Sequence, residues 1–443
     1  MPRITIDFSG AYAEQLGVTG LILRELKAVE SKAKAAHNRL FERPEMTQDG
    51  FFGLPKNGEL LNSSVQLARK LKGSYENVVV IGIGGSANGF KAVADALLGS
   101  NYNLKANKNR PRYFVLDYLD PSAIRDIFEI APPNKSVYVA ISKSGKTQET
   151  AAHLALFSSR LQRELGRQGL RERLVIITEL ERENPFQRMA EKLELRCLEV
   201  PPLVGGRYSV LSPVGIFPLA LLGVNVRSLL RGAELFNRRV RTSDPQKNPA
   251  LHYAMIHYLY YDKGHNITVF FLYDRSLKGL GDWLVQLWAE SLGKRFDREG
   301  SRVELGLTPV SAVGPRDQHS LLQLLIEGPF DKVITMIWPG SFKPDLKLTV
   351  PSWLKKGFGY LSGKSFGQIL AAEALGTYEA LVKSGKATIK IIPERTDAEN
   401  IGFLLQFFMC ATAYLAELWG INAFDQPGVQ LSKDISRRLL GGQ

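Results

Sequence analysis

Apolar and polar positions follow two alternating patterns along the chain. Short, nearly unbroken apolar runs recur at Val78-Val-Val-Ile-Gly-Ile83, Tyr113-Phe-Val-Leu-Asp117, Val137-Tyr-Val-Ala-Ile141 and Leu174-Val-Ile-Ile-Thr178. Between and after them, residues 90–98, 122–130, the stretch beyond Thr147 and residues 184–193 carry apolar side chains at helical spacing. Unbroken apolar strands alternating with amphipathic helices predict a parallel sheet covered on both faces. The pattern restarts after a helical bridge over 212–236. The strands Ile267-Thr-Val-Phe-Phe-Leu-Tyr273, Lys332-Val-Ile-Thr-Met-Ile-Trp338 and Lys386-Ala-Thr-Ile-Lys-Ile-Ile392 follow, with helices over 280–292 and 366–384. Residues 14–43 and 60–71 read as helices, and the segment between Glu290 and His319 reads as a loop. The fold class predicted is therefore α/β, with two tandem units and helical ends. The expected division is a helical segment over 1–54, a first unit over 55–211, bridging helices and a second unit over 212–395, and C-terminal helices over 396–443.

Composition narrows this picture only in part. A chain of 443 residues with 44% hydrophobic and 23% charged content can bury two substantial cores. The formal charge of +13 favours anionic ligands by long-range steering. The basic residues are scattered, as in Arg160, Arg163, Arg167, Arg171 and Arg173 with Glu164 and Glu172 among them, and no aromatic-interleaved basic stripe is present. A nucleic-acid partner is not expected. Two cysteines, Cys197 and Cys410, cannot build a disulfide framework and fit a reducing compartment. MPRITIDFSG lacks the charged and apolar regions of a secretion signal, so a cytoplasmic location is expected. Residues 401–421 form the most membrane-like stretch, but Gln406 and Glu417 within it point to a buried core helix and no membrane partner. Six histidines show no metal-ligand spacing, so no metal site is expected.

Candidate chemistry gathers at strand ends. The run Ile141-Ser-Lys-Ser-Gly-Lys-Thr-Gln-Glu-Thr150 breaks a strand into hydroxyls, a Lys and a Gly at the mouth of a helix. Free N–H groups and the helix dipole there suit a small anion. The same stretch also suits a plain helix cap with spare hydroxyls. Val80-Ile-Gly-Ile-Gly-Gly-Ser-Ala87 offers a bare backbone and a hydroxyl. It satisfies a loose dinucleotide fingerprint, but the nearest strand-end carboxylate, Asp117, lies about 30 residues after Gly84 rather than about 20. In a parallel sheet both loops open at the carboxyl edge, where ligands bind. Gly205-Gly206-Arg207 brings a permanent cation close to the backbone, suited to an oxyanion, although taken alone this stretch reads better as a helix-start turn with a surface Arg. Gln286 and Glu290, four apart, share a face of an apolar helix, and burial there would strip water from a base. Trp283, Leu287 and Trp288 read as core. His319 stands where a helix begins, and Lys433 lies within the apolar face of a terminal helix.

With these pieces in this order, the chain resembles the glucose-6-phosphate isomerase (phosphoglucose isomerase) family in its shorter bacterial form. The motifs IGIGGS, ISKSGKTQET, GGRYSVLSPVG and QLWAESLGK carry the resemblance, followed by QHS and GVQLSK. The resemblance implies two sugar-isomerase domains, a homodimer, and no cofactor, metal or nucleotide. It implies reversible isomerisation of D-glucose 6-phosphate and D-fructose 6-phosphate through a cis-enediol(ate), a step of glycolysis and gluconeogenesis. Carried over by position, Gly85, Ser86, Ser142, Lys143, Ser144 and Thr147 match the phosphate site, and Glu149 and Gln286 match substrate-lining positions. Glu290 matches the proton-transferring base, Arg207 the residue that stabilises the enediolate, and His319 and Lys433 the ring-opening positions, with His319 supplied by the partner subunit. Pro201-Pro202 and Lys146 depart from the usual family pattern. Rival expectations are an isomerase that also accepts mannose 6-phosphate and a sugar-phosphate sensor without activity. The sensor would keep the Ser142 loop and lose Glu290, His319 or Arg207.

Overall fold

The computed structural model describes residues 4–43, 46, 48–105 and 110–441; the first three residues of the MPRITIDFSG stretch lie outside them. Twelve strands are present among the described residues. They are β1 (Ile4–Asp7), β2 (Asn77–Ile81), β3 (Arg112–Leu116), β4 (Ser136–Ile141), β5 (Leu174–Thr178), β6 (Arg196–Glu199), β7 (Ile267–Leu272), β8 (Lys294–Phe296), β9 (Arg302–Leu305), β10 (Thr308–Val313), β11 (Lys332–Ile337) and β12 (Thr388–Pro393). The first sheet has the order β3-β2-β4-β5-β6 and is parallel throughout. The second has the order β1-β12-β11-β7-β10 and is parallel except for β1. Every residue of β2 and β4 is buried, which is why these strands read as continuous apolar runs. The predicted α/β class with two mainly parallel sheets is the observed one.

Two local readings are corrected. The segment between Glu290 and His319 is not a loop. It forms the β8–β9 hairpin and then β10, an edge strand of the second sheet. The N-terminal segment is not purely helical, because β1 pairs with β12, Ile4 opposite Pro393. The bridge over 212–236 is helical as predicted, built of two helices, Pro213–Leu221 and Val226–Arg239, and followed by a third, Pro249–Asp262. Asn248 caps that third helix, and Pro249 fits its first turn.

The helix Ala398–Trp419 is the one described helix long and apolar enough to cross a membrane, and it is buried inside the protein. Glu417 near its end is 1% exposed and meets Arg298, Arg39 at 3.4 Å and Arg43 at 3.2 Å. A buried carboxylate needs such partners, since leaving it unpaired costs several kcal/mol, of the order of 3–5. The arginines tie the helix end to the helix Leu23–Phe41 and to the turn that carries Arg298, whose N–H also donates to the Gly420 carbonyl at 2.9 Å. The chain then leaves through residues 421–426, which reach the site.

Candidate active site

In the first sheet the connection from β2 runs to β3 on one side, and that from β4 runs to β5 on the other. The carboxyl ends of the neighbouring β2 and β4 therefore form the switch point where open α/β sheets hold ligands. The two loops picked out from the sequence are the ones that leave these ends: residues 82–86 after β2, and 142–147 after β4. The equivalent point of the second sheet, beside β7, holds the fully buried Tyr273 ring against Gly314.

Each loop is held from behind. Ser142 is buried, its Oγ lies 3.0 Å from Thr147 Oγ1, and its carbonyl accepts the Thr178 hydroxyl at 2.8 Å. Gly145 has φ +61°, and a Cβ there would lie 2.4 Å from Asn184 Oδ1, so the turn can tighten only around glycine. Thr147 then opens the helix Gln148–Arg173, with Glu149 in its first turn. Ser144 is exposed, and its Oγ accepts the Lys146 N–H at 3.3 Å. In the other loop, a Cβ on Gly85 would come within 2.2 Å of the Gly206 carbonyl carbon. The Gly84–Ser86 turn thus rests directly on the Gly205-Gly206-Arg207 backbone.

Lys143 does not project its ammonium freely into this mouth. The Nζ donates to the Pro202 carbonyl and, at 3.2 Å, to the Val204 carbonyl, and burial lowers its pKa from the ordinary lysine value. Lys143 therefore braces the turn that leads into Arg207, which gives the unusual Pro201-Pro202 pair a fixed anchor.

Arg207 is not a surface residue. Its side chain has no exposure, and every donor group is engaged. Nε donates to Ser291 Oγ at 2.8 Å, and Nη2 to the carbonyls of Ala423 at 2.5 Å and Asp425 at 2.8 Å. Nη1 donates to Glu290 Oε2 at 3.2 Å and Gln426 Oε1 at 2.9 Å. The Trp283 indole N–H donates to the Arg207 carbonyl at 3.3 Å, so the apolar face of the helix Lys278–Leu292 is core, as expected, and also fixes the arginine.

That helix packs on the helix Asn88–Leu98 behind the β2 loop, which brings Gln286 and Glu290 to the mouth of the first sheet. Asn88 Nδ2 donates to Gln286 Oε1 at 2.8 Å, and Gln286 Nε2 donates to Glu290 Oε1 at 3.2 Å. Glu290 thus has one oxygen on an amide and the other on a guanidinium. The side chain is 33% exposed, so water is not stripped from it by burial; its geometry comes from these two donors instead.

His319 and Lys433 are placed differently from the rest. His319 ends the short turn Arg316–Gln318 and is exposed. Lys433 lies on the helix Gln430–Leu439, in which no residue is buried, so it is not inside a covered apolar face. Asp117, the poor dinucleotide partner, pairs with Lys91 at 2.9 Å. Among the described residues no three His, Cys, Asp or Glu side chains come together as metal ligands. Sequence reasoning missed Asn88, Ser291, Lys294, Asp425 and Gln426. All but Asn88 lie inside or beside motifs that were already singled out, QLWAESLGK and GVQLSK.

Comparison with known proteins agrees with this architecture. Residues 66–441 match the phosphoglucose isomerase family. The glucose-6-phosphate isomerase of Rubrobacter xylanophilus is 36% identical over 442 residues, covering 100% of this chain and 99% of that one. A glucose-6-phosphate isomerase of Thermus thermophilus is 37% identical over 443 residues, covering 100% of both. A hypothetical protein, also of Thermus thermophilus, has a crystal structure that superposes with a TM-score of 0.88 at 35% identity, covering 100% of both chains. A glucose-6-phosphate isomerase from Chlamydia trachomatis, at 24% identity, shares the fold with a TM-score of 0.79, over 98% of this chain and 92% of that one. Switch-point loops, a Glu–Arg pair between the two units and full-length similarity converge, and the chain belongs to the phosphoglucose isomerase family.

Proposed function

We infer that the protein is an aldose–ketose isomerase that interconverts D-glucose 6-phosphate and D-fructose 6-phosphate. The observation that carries this reading is the 3.2 Å pairing of Glu290 with the buried Arg207 beside two anion-suited loops. The sugar's phosphate rests on the main chain at Gly85 and on the hydroxyls of Ser86, Ser142, Ser144 and Thr147. Lys143 adds positive charge from behind the loop, and Lys146 adds more at the rim. Glu149 and Gln286 line the carbon chain.

In the open-chain aldose, Glu290 takes the proton from C2, and the electron pair left behind moves the C1 carbonyl to an enediolate. Arg207, already desolvated, neutralises the oxygen charge as it forms, and no water has to be rearranged. The proton returns from Glu290 to C1 while the O2 hydroxyl proton passes to O1, which leaves the ketone at C2. Phosphate binding, remote from both carbons, orients the reacting end. His319 and Lys433 serve ring opening. Purified protein is expected to convert fructose 6-phosphate to glucose 6-phosphate at a rate unchanged by a chelator, in a dehydrogenase-coupled assay. Sugar-phosphate binding with no conversion would support a sensor instead.

The working unit in this reading is a homodimer in which His319 completes the partner's site. What supports it is the exposed stripe Leu431, Ile435 and Leu439 on the Gln430–Leu439 helix, and the exposed Trp353, Phe358 and Tyr360, large apolar side chains that a partner subunit would cover. Glu290→Gln and His319→Ala variants, inactive alone, are expected to regain about a quarter of the parent activity when unfolded and refolded together, because half of the dimers then carry one intact site. No recovery would place both residues in one chain's site.

A further inference from the structure

Lys294 is a buried cation that the reaction described above does not use. It follows Gly293 at the end of the Glu290 helix, and its side chain is 5% exposed. Nζ donates to the Glu290 carbonyl at 2.6 Å and to the Asp425 carbonyl at 2.8 Å, with Asp425 Oδ1 at 3.3 Å. The Asp425 carbonyl also accepts Arg207 Nη2 at 2.8 Å, so one oxygen serves two desolvated cations. Burial and the neighbouring Arg207 both lower the ammonium's pKa, opposed by Asp425 and Glu290. Placing a second positive charge there is unfavourable for stability, since a desolvated ammonium is costly and the adjacent guanidinium repels it.

The contacts close a ring. Glu290 and Gln426 both meet Arg207 Nη1, Gln426 follows Asp425 in the chain, and Lys294 joins Asp425 back to the Glu290 backbone. The Glu290 carbonyl is one of the last-turn carbonyls that a helix cannot satisfy internally, so Lys294 fixes the turn from which the base projects. We propose that Lys294 is a positioning residue of the isomerisation, holding the Glu290 carboxylate and the Gln426 amide in register on Arg207. This rests on the roles given above to Glu290 and Arg207.

The test uses the full chain carrying Lys294→Met, which keeps the length and apolarity of the stem. Expected is a fall in kcat of about 10²-fold, the cost of misplacing a reacting group by about 1 Å, with KM within about threefold because the phosphate loops are untouched. With glucose 6-phosphate deuterated at C2, the share of deuterium carried to C1 rather than lost to solvent is expected to fall by about half or more, since a displaced base exchanges its proton before returning it. That ratio does not depend on how much of the sample is folded. An unchanged transfer ratio, or a KM that rises in step with the loss of kcat, overturns the proposal. If Lys294→Met does not fold, Lys294→Gln is measured in the same way, and failure of both to fold makes the residue structural and overturns it too. Glu290→Gln run alongside separates the two readings: if it retains C2 exchange the assigned base is wrong, and if it abolishes exchange while Lys294→Met behaves as the parent, only the positioning role fails.

Discussion

Glu290→Gln is expected to abolish isomerisation while sparing ligand binding. A positioned general base supplies roughly 10²–10⁴-fold, and the amide cannot take a proton from carbon, so turnover should fall by about 10⁴-fold. The amide oxygen can still accept from Arg207 Nη1 and the fold loses no volume, so fructose 6-phosphate should bind with an affinity within a few-fold of the parent. The decisive measurement is exchange of the C2 hydrogen with solvent, followed by NMR in deuterated water. Exchange that persists at a tenth of the parent rate would falsify the assignment of Glu290 as the base, whatever happens to net conversion.

Arg207→Ala is expected to cost both catalysis and stability. Loss of one oxyanion donor typically lowers kcat by about 10²–10³-fold. Here the loss also leaves Glu290, Gln426 and the carbonyls of Ala423 and Asp425 without their common donor. Removing one partner of such a buried charged network destabilises by about 3–5 kcal/mol, so the melting temperature should fall clearly. Arg207→Lys restores the charge but not the fork that reaches five acceptors, and it should recover stability only in part and activity hardly at all. Arg207→Lys turning over within tenfold of the parent would show that a point charge suffices and that the fork is structural.

The two effects also separate what could be read from the chain alone. Buried parallel strands announce themselves: β2 and β4 lie under helices on both faces, so nearly every side chain had to be apolar. β10 escaped notice for the opposite reason. It is an edge strand, half exposed at its start, and Pro309 and Ser311 interrupt its apolar run. The loops after β2 and β4 were legible as anion-suited turns because their chemistry is local. Arg207 was ambiguous because its burial is made by residues far along the chain; its contact to Gln426 spans 219 positions. Lys294 looked like an ordinary cation after a helix, and it becomes a buried one only because Asp425, 131 positions later, lies on it. Family resemblance supplied the roles proposed for Glu290 and Arg207, whereas the ring of contacts that sets their geometry became visible only with side chains in place.

The pairing of β1 with β12 has a consequence for how the chain is made. β1 precedes every other described strand, and its partner Thr388–Pro393 is the last. While the chain grows, the short Ile4–Asp7 strand must wait for nearly the whole protein to be synthesised before it has a ladder to join. Contacts this far apart in sequence form late and slow folding, because the intervening chain has to be ordered first. The first sheet, whose strands all fall between Asn77 and Glu199, can assemble from consecutive units as they emerge. The second sheet therefore closes last, and the edge of β12 stays open to mispairing until β1 covers it.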